Sequence, residues 1–120
     1  MTQDELNQLD PGFREVGREG SEIHLDQYLD AVSERELAGT KLNKFFDNYD
    51  LLLTPTLPIT AFDAGTEVPA GSGMDRWTRW TPFSYPFNLG RHPAASIPCG
   101  LCSNGLPAGL QIVGPMNCDG

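Results

Sequence analysis

Positive charge is scarce in this chain. Eight Lys and Arg stand against 16 Asp and Glu, a net charge of −8 at pH 7. Neutralising a phosphate backbone needs clustered basic side chains, so a nucleic-acid surface is excluded. Long apolar runs are missing too. The longest wholly aliphatic one is Leu51-Leu52-Leu53, far short of the roughly 20 residues that a membrane-spanning helix requires. The opening residues Met1-Thr2-Gln3-Asp4-Glu5 are acidic with no apolar segment behind them, which reads as no signal peptide and a cytoplasmic setting. Cysteine is sparse, and its odd count of three argues against a disulfide framework. Gly-x-Ser-x-Gly is absent, so no nucleophile elbow is present. There is also no internal repeat and no low-complexity tract.

What the chain does have is glycine and proline, and they are unevenly placed. At 120 residues the length allows one modest domain. Residues 1–54 carry 12 of the acids, five of the bases, one proline and four glycines. Residues 55–120 carry nine prolines and nine glycines with only four acids and three bases. A charged, helix-permissive part of about 1–49 therefore precedes a turn-rich strand-and-loop part of about 50–120.

Leu25, Leu29, Val32, Leu42, Phe45, Phe46 and Tyr49 recur at helical steps, interrupted at Glu36 and Gly39. The pattern predicts an amphipathic helix over 26–47 with Asp26 as its N-cap, lying on something larger. Asp30, Glu34, Arg35, Lys41 and Lys44 form its solvated face. Residues 51–54 read as a short buried strand and 56–81 as a long loop. Residues 94–98 and 108–113 read as two strands of an antiparallel hairpin, buried on both faces, reversed around Asn104-Gly105. One main helix with a few buried strands makes an α/β piece of a larger sheet.

The chemistry-bearing residues are few. His24 and His92 have no Ser or Cys partner in a recognisable motif, and a lone histidine is more often packed or at the surface than catalytic. Gly71-Ser72-Gly73 has no strand before it and reads as flexible loop, not a phosphate loop. Cys99 and Cys102 form a C-x-x-C, with Cys118 and His92 as conceivable further zinc ligands; the usual second short-spaced pair is missing. Trp77, Trp80, Phe83, Tyr85 and Phe87 cluster among Arg76, Arg79 and two prolines. Such a cluster is either packed core or the lining of an apolar cleft for a small molecule. The acidic balance disfavours a base-stacking platform.

Read together, four blocks carry a resemblance. Tyr49-Asp50-Leu51-Leu52-Leu53-Thr54-Pro55-Thr56-Leu57-Pro58, Pro86-Phe87-Asn88-Leu89, Pro93-Ala94-Ala95-Ser96-Ile97-Pro98-Cys99-Gly100 and Gly105-Leu106-Pro107-Ala108-Gly109-Leu110-Gln111-Ile112-Val113-Gly114 resemble, in that order, the carboxy-terminal region of the amidase-signature family. Asp10-Pro11 and Tyr28 fit the region before them. The resemblance covers essentially the whole chain and implies part of a mixed-sheet α/β fold several times longer. It implies amide hydrolysis by a Ser–cis-Ser–Lys triad: one serine attacks the carbonyl, the bridging serine and a neutral lysine move protons, and backbone N–H groups hold the oxyanion. The glycine- and serine-rich stretch that carries the triad in the family is not in this sequence. The only lysines, Lys41 and Lys44, lie on the polar face of the helix, so no catalytic residue transfers.

What the resemblance does transfer is a wall of the substrate cleft: Trp80, Thr81, Phe83 and Tyr85 would face substrate. Amidotransferases of the family place an acidic residue near Thr81 to grip an amino group. Thr81 has no charge, and its aromatic neighbours suggest an apolar or aryl amide and a general amidase. No cofactor and no metal is implied. The implied partners are the remainder of an amidase chain, or another copy, since strands taken from a larger sheet leave open edges; a dimer or higher assembly is the expectation. The alternatives are a non-catalytic partner-binding or assembly module of the same fold and a small zinc protein. Two departures stand out. The family pattern Asn-Leu-x-Gly-x-Pro is here Asn88-Leu89-Gly90-Arg91-His92-Pro93, so Arg91 occupies the usual glycine position. The tail from Gly114 to Gly120 stops where the family continues into a helix.

Overall fold

The structure, a computed structural model, describes residues 2–118. It divides into two units, Met1–Ser33 and Glu34–Gly120; the last two residues of the tail lie outside the described part.

In the first unit, two short helices precede the long one. Helix α1, Gln3–Asn7, begins in a capping box. The Thr2 hydroxyl accepts from the Glu5 N–H at 3.3 Å, and the Glu5 carboxylate accepts from the Thr2 N–H at 2.7 Å. Helix α2, Pro11–Ser21, starts on Asp10, whose carboxylate accepts from the Phe13 N–H, with Pro11 at the first helical position where no N–H is needed. Helix α2 carries Phe13 and Val16 one turn apart on one face, and Thr2-x-x-Glu5 and Asp10-Pro11 are start signals readable in the sequence. Helix α3, Leu25–Phe46, matches the expected span within one residue. Asp26 sits in its first turn and is not its cap; instead the Gln27 side chain accepts from the His24 N–H at 2.9 Å. Phe13, Ile23, Leu25, Tyr28 and Leu29 are exposed, and no described residue of 2–33 is buried.

The second unit holds the sheet. Strands β1 (Leu52–Pro55), β2 (Ala94–Leu101) and β3 (Pro107–Val113) pair antiparallel in the order β1-β3-β2. Leu52 and Ala94 both stand opposite Val113, and Thr54 and Ser96 opposite Gln111. The hairpin reverses where Asn104-Gly105 predicts: Gly105 has φ 79°, and Cys102 N–H bonds Leu106 O at 2.8 Å. A bulge between Pro98 and Leu101 carries β2 three residues beyond its expected end.

Burial corrects the expectation. One face of the sheet is covered at β3, where Gln111 and Val113 are buried; on the other face, Leu53 and Ile97 are exposed. Every residue of β2 is exposed. The hairpin is therefore not buried on both faces, and β1 alternates half-buried with exposed. An apolar strand reports what it is suited to meet, and nothing described covers this face.

On the covered side, α4 (Tyr85–Gly90) and the second half of α3 meet at small residues. A Cβ on Gly39 would stand 3.8 Å from the Gly90 Cα, and one on Gly90 would stand 2.8 Å from His92 Nδ1 and 3.2 Å from Leu42 Cδ1. Gly90 is thus fixed by close approach. Arg91 caps α4 in the left-handed conformation, φ 59° and ψ 33°. The position where the family pattern has glycine takes a left-handed turn in this chain although an arginine fills it.

Candidate functional site

The aromatic segment is held by backbone and side-chain hydrogen bonds at both ends. A 3₁₀ turn, Trp77–Trp80, opens it. Glu67 ties this turn down twice: its carbonyl accepts from Trp80 Nε1 at 2.9 Å, and its carboxylate accepts from the Trp77 N–H at 3.1 Å. Phe62 packs edge-on against Trp80, ring centroids 5.5 Å apart, a favoured arrangement of ring quadrupoles. Thr81 Oγ1 donates to Tyr85 Oη at 2.9 Å. Tyr85 lies beside Trp77 with centroids 6.4 Å apart. Trp80, Thr81, Phe83 and Tyr85 are all half-buried, and Phe87 is buried.

The structure therefore brings Thr81 and Tyr85 into direct contact and places Trp80 against Phe62. Phe83 joins through its backbone: its carbonyl accepts from Gln111 Nε2 at 3.0 Å. The same nitrogen donates to Thr54 Oγ1 at 2.9 Å. Reading the sequence missed Glu67, Phe62 and Gln111. For Gln111 there was a signal, a large polar residue inside an apolar strand, which has to find partners once buried.

Arg79 forms a two-pronged pair with Asp75, Nε to Oδ1 at 2.9 Å and Nη2 to Oδ2 at 3.2 Å. The guanidinium's hydrogen bonds hold the Asp75 carboxyl down at about 2. Both groups are exposed, so the pair orients the loop more than it stabilises the fold.

Cavities also lie elsewhere among the described residues of this unit. A polar one of about 90 Å³ is bounded by Arg35, Gly39, Asn43, Leu89, Gly90 and Arg91. A mainly apolar one of about 350 Å³ runs along Leu51, Pro93, Ala94, Ala95, Ile112 and Gly114. Neither is lined by Trp80, Thr81, Phe83 or Tyr85.

His92 is a packed residue. It is 6% exposed, its Nε2 is 3.1 Å from Asn43 Oδ1, its ring lies against Phe46, and its buried Nδ1 has no hydrogen-bond partner among the described residues. His24 is exposed at the start of α3. Cys99, Cys102 and Cys118 are free. Among the described residues no three His, Cys, Asp or Glu side chains gather to hold a metal ion. Gly71-Ser72-Gly73 is an exposed turn closed by the Ser72 N–H on Pro69 O. Lys41 and Lys44 are exposed on α3. No helix among the described residues is long and apolar enough to cross a membrane.

Comparison with known proteins agrees with this fold. The sequence matches the family model described as Amidase over residues 5–120. A glutamyl-tRNA(Gln) amidotransferase subunit of Halothermothrix orenii is 40% identical over 88 residues, 73% of this chain and 18% of that protein. The crystal structure of an amidase shares the fold with a TM-score of 0.79 at 34% identity, over 95% of this chain and 26% of its own. A bacterial aryl acylamidase of the amidase-signature family matches with a TM-score of 0.74 at 30% identity, over 94% of this chain and 24% of its own. The chain thus spans less than a fifth of the curated relative and about a quarter of each solved structure. With a family match across nearly its whole length and the fold shared along it, this chain belongs to the amidase-signature family and covers part of that family's domain.

Proposed function

We propose that this chain supplies sheet strands and one wall of the substrate cleft to an amidase-signature hydrolase acting on carboxylic amides, and that it contains no nucleophile of its own. The observation that carries the reading is the half-buried row Trp80, Thr81, Phe83 and Tyr85, anchored to Glu67 on one side and to β3 on the other. Such a surface presents aromatic faces and one hydroxyl pair, with Thr81 uncharged where a substrate amine would want a carboxylate. It suits an apolar or aryl amide. An aryl acylamidase is among the solved structures that share this fold, so a wall of this kind is compatible with such a substrate.

In the assembled enzyme the serine pair and lysine would come from the remaining part of the domain, and this wall would orient the acyl or aryl group beside them. Positioning of that kind contributes by fixing the reacting carbonyl in an attack geometry. The partner is then the remainder of an amidase chain. A second reading, a non-catalytic assembly module, is favoured by the uncovered face of the sheet, where Leu53 and Ile97 are exposed; its partner would be another copy of the chain. Titration with acetanilide, followed by tryptophan fluorescence, tests the wall. Saturable quenching that weakens in Trp80→Ala is expected; the absence of any saturable signal would remove the aryl-amide reading.

A further inference from the structure

Gln111 occupies the central strand of the sheet and is 7% exposed. A carboxamide taken out of water needs its donors satisfied. Both N–H groups of Nε2 are used, one on Thr54 Oγ1 at 2.9 Å and the other on the Phe83 carbonyl at 3.0 Å. The orientation of the amide follows from chemistry. A backbone carbonyl only accepts, so the nitrogen and not the oxygen must face Phe83. One side chain therefore ties three pieces together: β3, its neighbour β1, and the middle of the aromatic segment 28 residues earlier in the chain.

The attachment point matters. Phe83 lies between Thr81 and Tyr85, one residue before the Ser84 N-cap of α4, so fixing its carbonyl sets the height of the aromatic row above the sheet. Leucine or methionine fills similar space but has no donor. Glutamate keeps the shape yet turns a carboxylate toward a carbonyl. Only an amide of this length reaches both acceptors. We infer that Gln111 is a positioning residue: it sets the aromatic wall against the sheet and so tunes which amides that wall accepts. The consequence for amides rests on the functional reading above; the tether itself does not.

Hydrogen exchange of the full chain by NMR separates the two. In Gln111→Leu and Gln111→Glu, the amides of Ser84 and Asn88, which bond Thr81 O and Ser84 O, are expected to exchange about tenfold faster or more as the Phe83 carbonyl is left unpaired. Amides of the β2–β3 hairpin are expected to keep their rates. Thr54→Val, which leaves the Phe83 bond in place, is expected to spare Ser84 and Asn88. Uniform acceleration of hairpin and loop would overturn the inference, because Gln111 would then be an ordinary part of the core. Unchanged loop rates, or a native chain unprotected at Ser84 and Asn88, would overturn it as well. Acetanilide affinity in the same variants is expected to fall about tenfold. If the native chain binds no acetanilide while the exchange pattern holds, the functional reading fails and the tether stands.

Discussion

Arg91→Gly tests the account of the α4 turn. Arg91 sits at φ 59°, ψ 33°, the left-handed region, where a side-chain Cβ crowds the following carbonyl. That crowding costs roughly 1–2 kcal/mol for an ordinary L-residue. Glycine removes it but loses more backbone freedom on folding, about 0.5–1 kcal/mol. The arginine side chain is exposed and makes no ion pair among the described residues, so truncating it removes little. The balance is a stabilisation of about 0.5–1 kcal/mol, or an increase of roughly 2–8 °C in Tm for a unit of this size. Urea and thermal melts of the two proteins, followed by far-UV circular dichroism, measure it directly. Arg91→Asn is expected to fall between them, since asparagine tolerates this conformation better than arginine. A destabilised Arg91→Gly variant would refute the reasoning, because it would mean that the guanidinium contributes more than the backbone strain removes.

Gly90→Ala is expected to destabilise by about 1–3 kcal/mol, since its methyl would stand 2.8 Å from His92 Nδ1 and the packed neighbours must shift; the same melts check it. Asn43→Ala is expected to cost about 1–3 kcal/mol, because it removes the hydrogen bond that the buried His92 ring makes to Asn43; a melt unchanged within about 0.3 kcal/mol would contradict that packing. The Asp75 carboxyl is expected to titrate at about 2 by NMR and to return toward 3.8 in Arg79→Met. Its folded value is depressed, so whatever the pair contributes is present above about pH 4 and lost as the pH falls toward 2.

Much of the second unit was legible because its signals are local. Asn104-Gly105 fixes a reversal through backbone conformation alone, and the apolar runs on either side supply the strands it joins. Helix α3 was legible from its period. Its start was misplaced by one residue because Asp26 has the chemistry of a cap, while the structure satisfies the end through Gln27 and His24. Two kinds of feature were not legible. Burial of β2 was overestimated, since apolar composition describes a strand's suitability for a core and not whether a covering element lies within these residues. The ties that shape the aromatic wall were missed because they are long-range. Gln111 reaches partners 57 and 28 residues away, and Trp80 reaches Glu67 across 13. Arg91 lay between these cases: the motif flagged a departure at its position, and the structure supplied the left-handed angle.

The most direct test is turnover of an aryl amide such as 4-nitroacetanilide, measured on the purified chain alone and after mixing it with an amidase-signature protein truncated of its matching carboxy-terminal segment. No release of 4-nitroaniline is expected from either part alone, and measurable release from the mixture. Turnover by the chain alone, surviving repurification and a mock-expressed control, would contradict it.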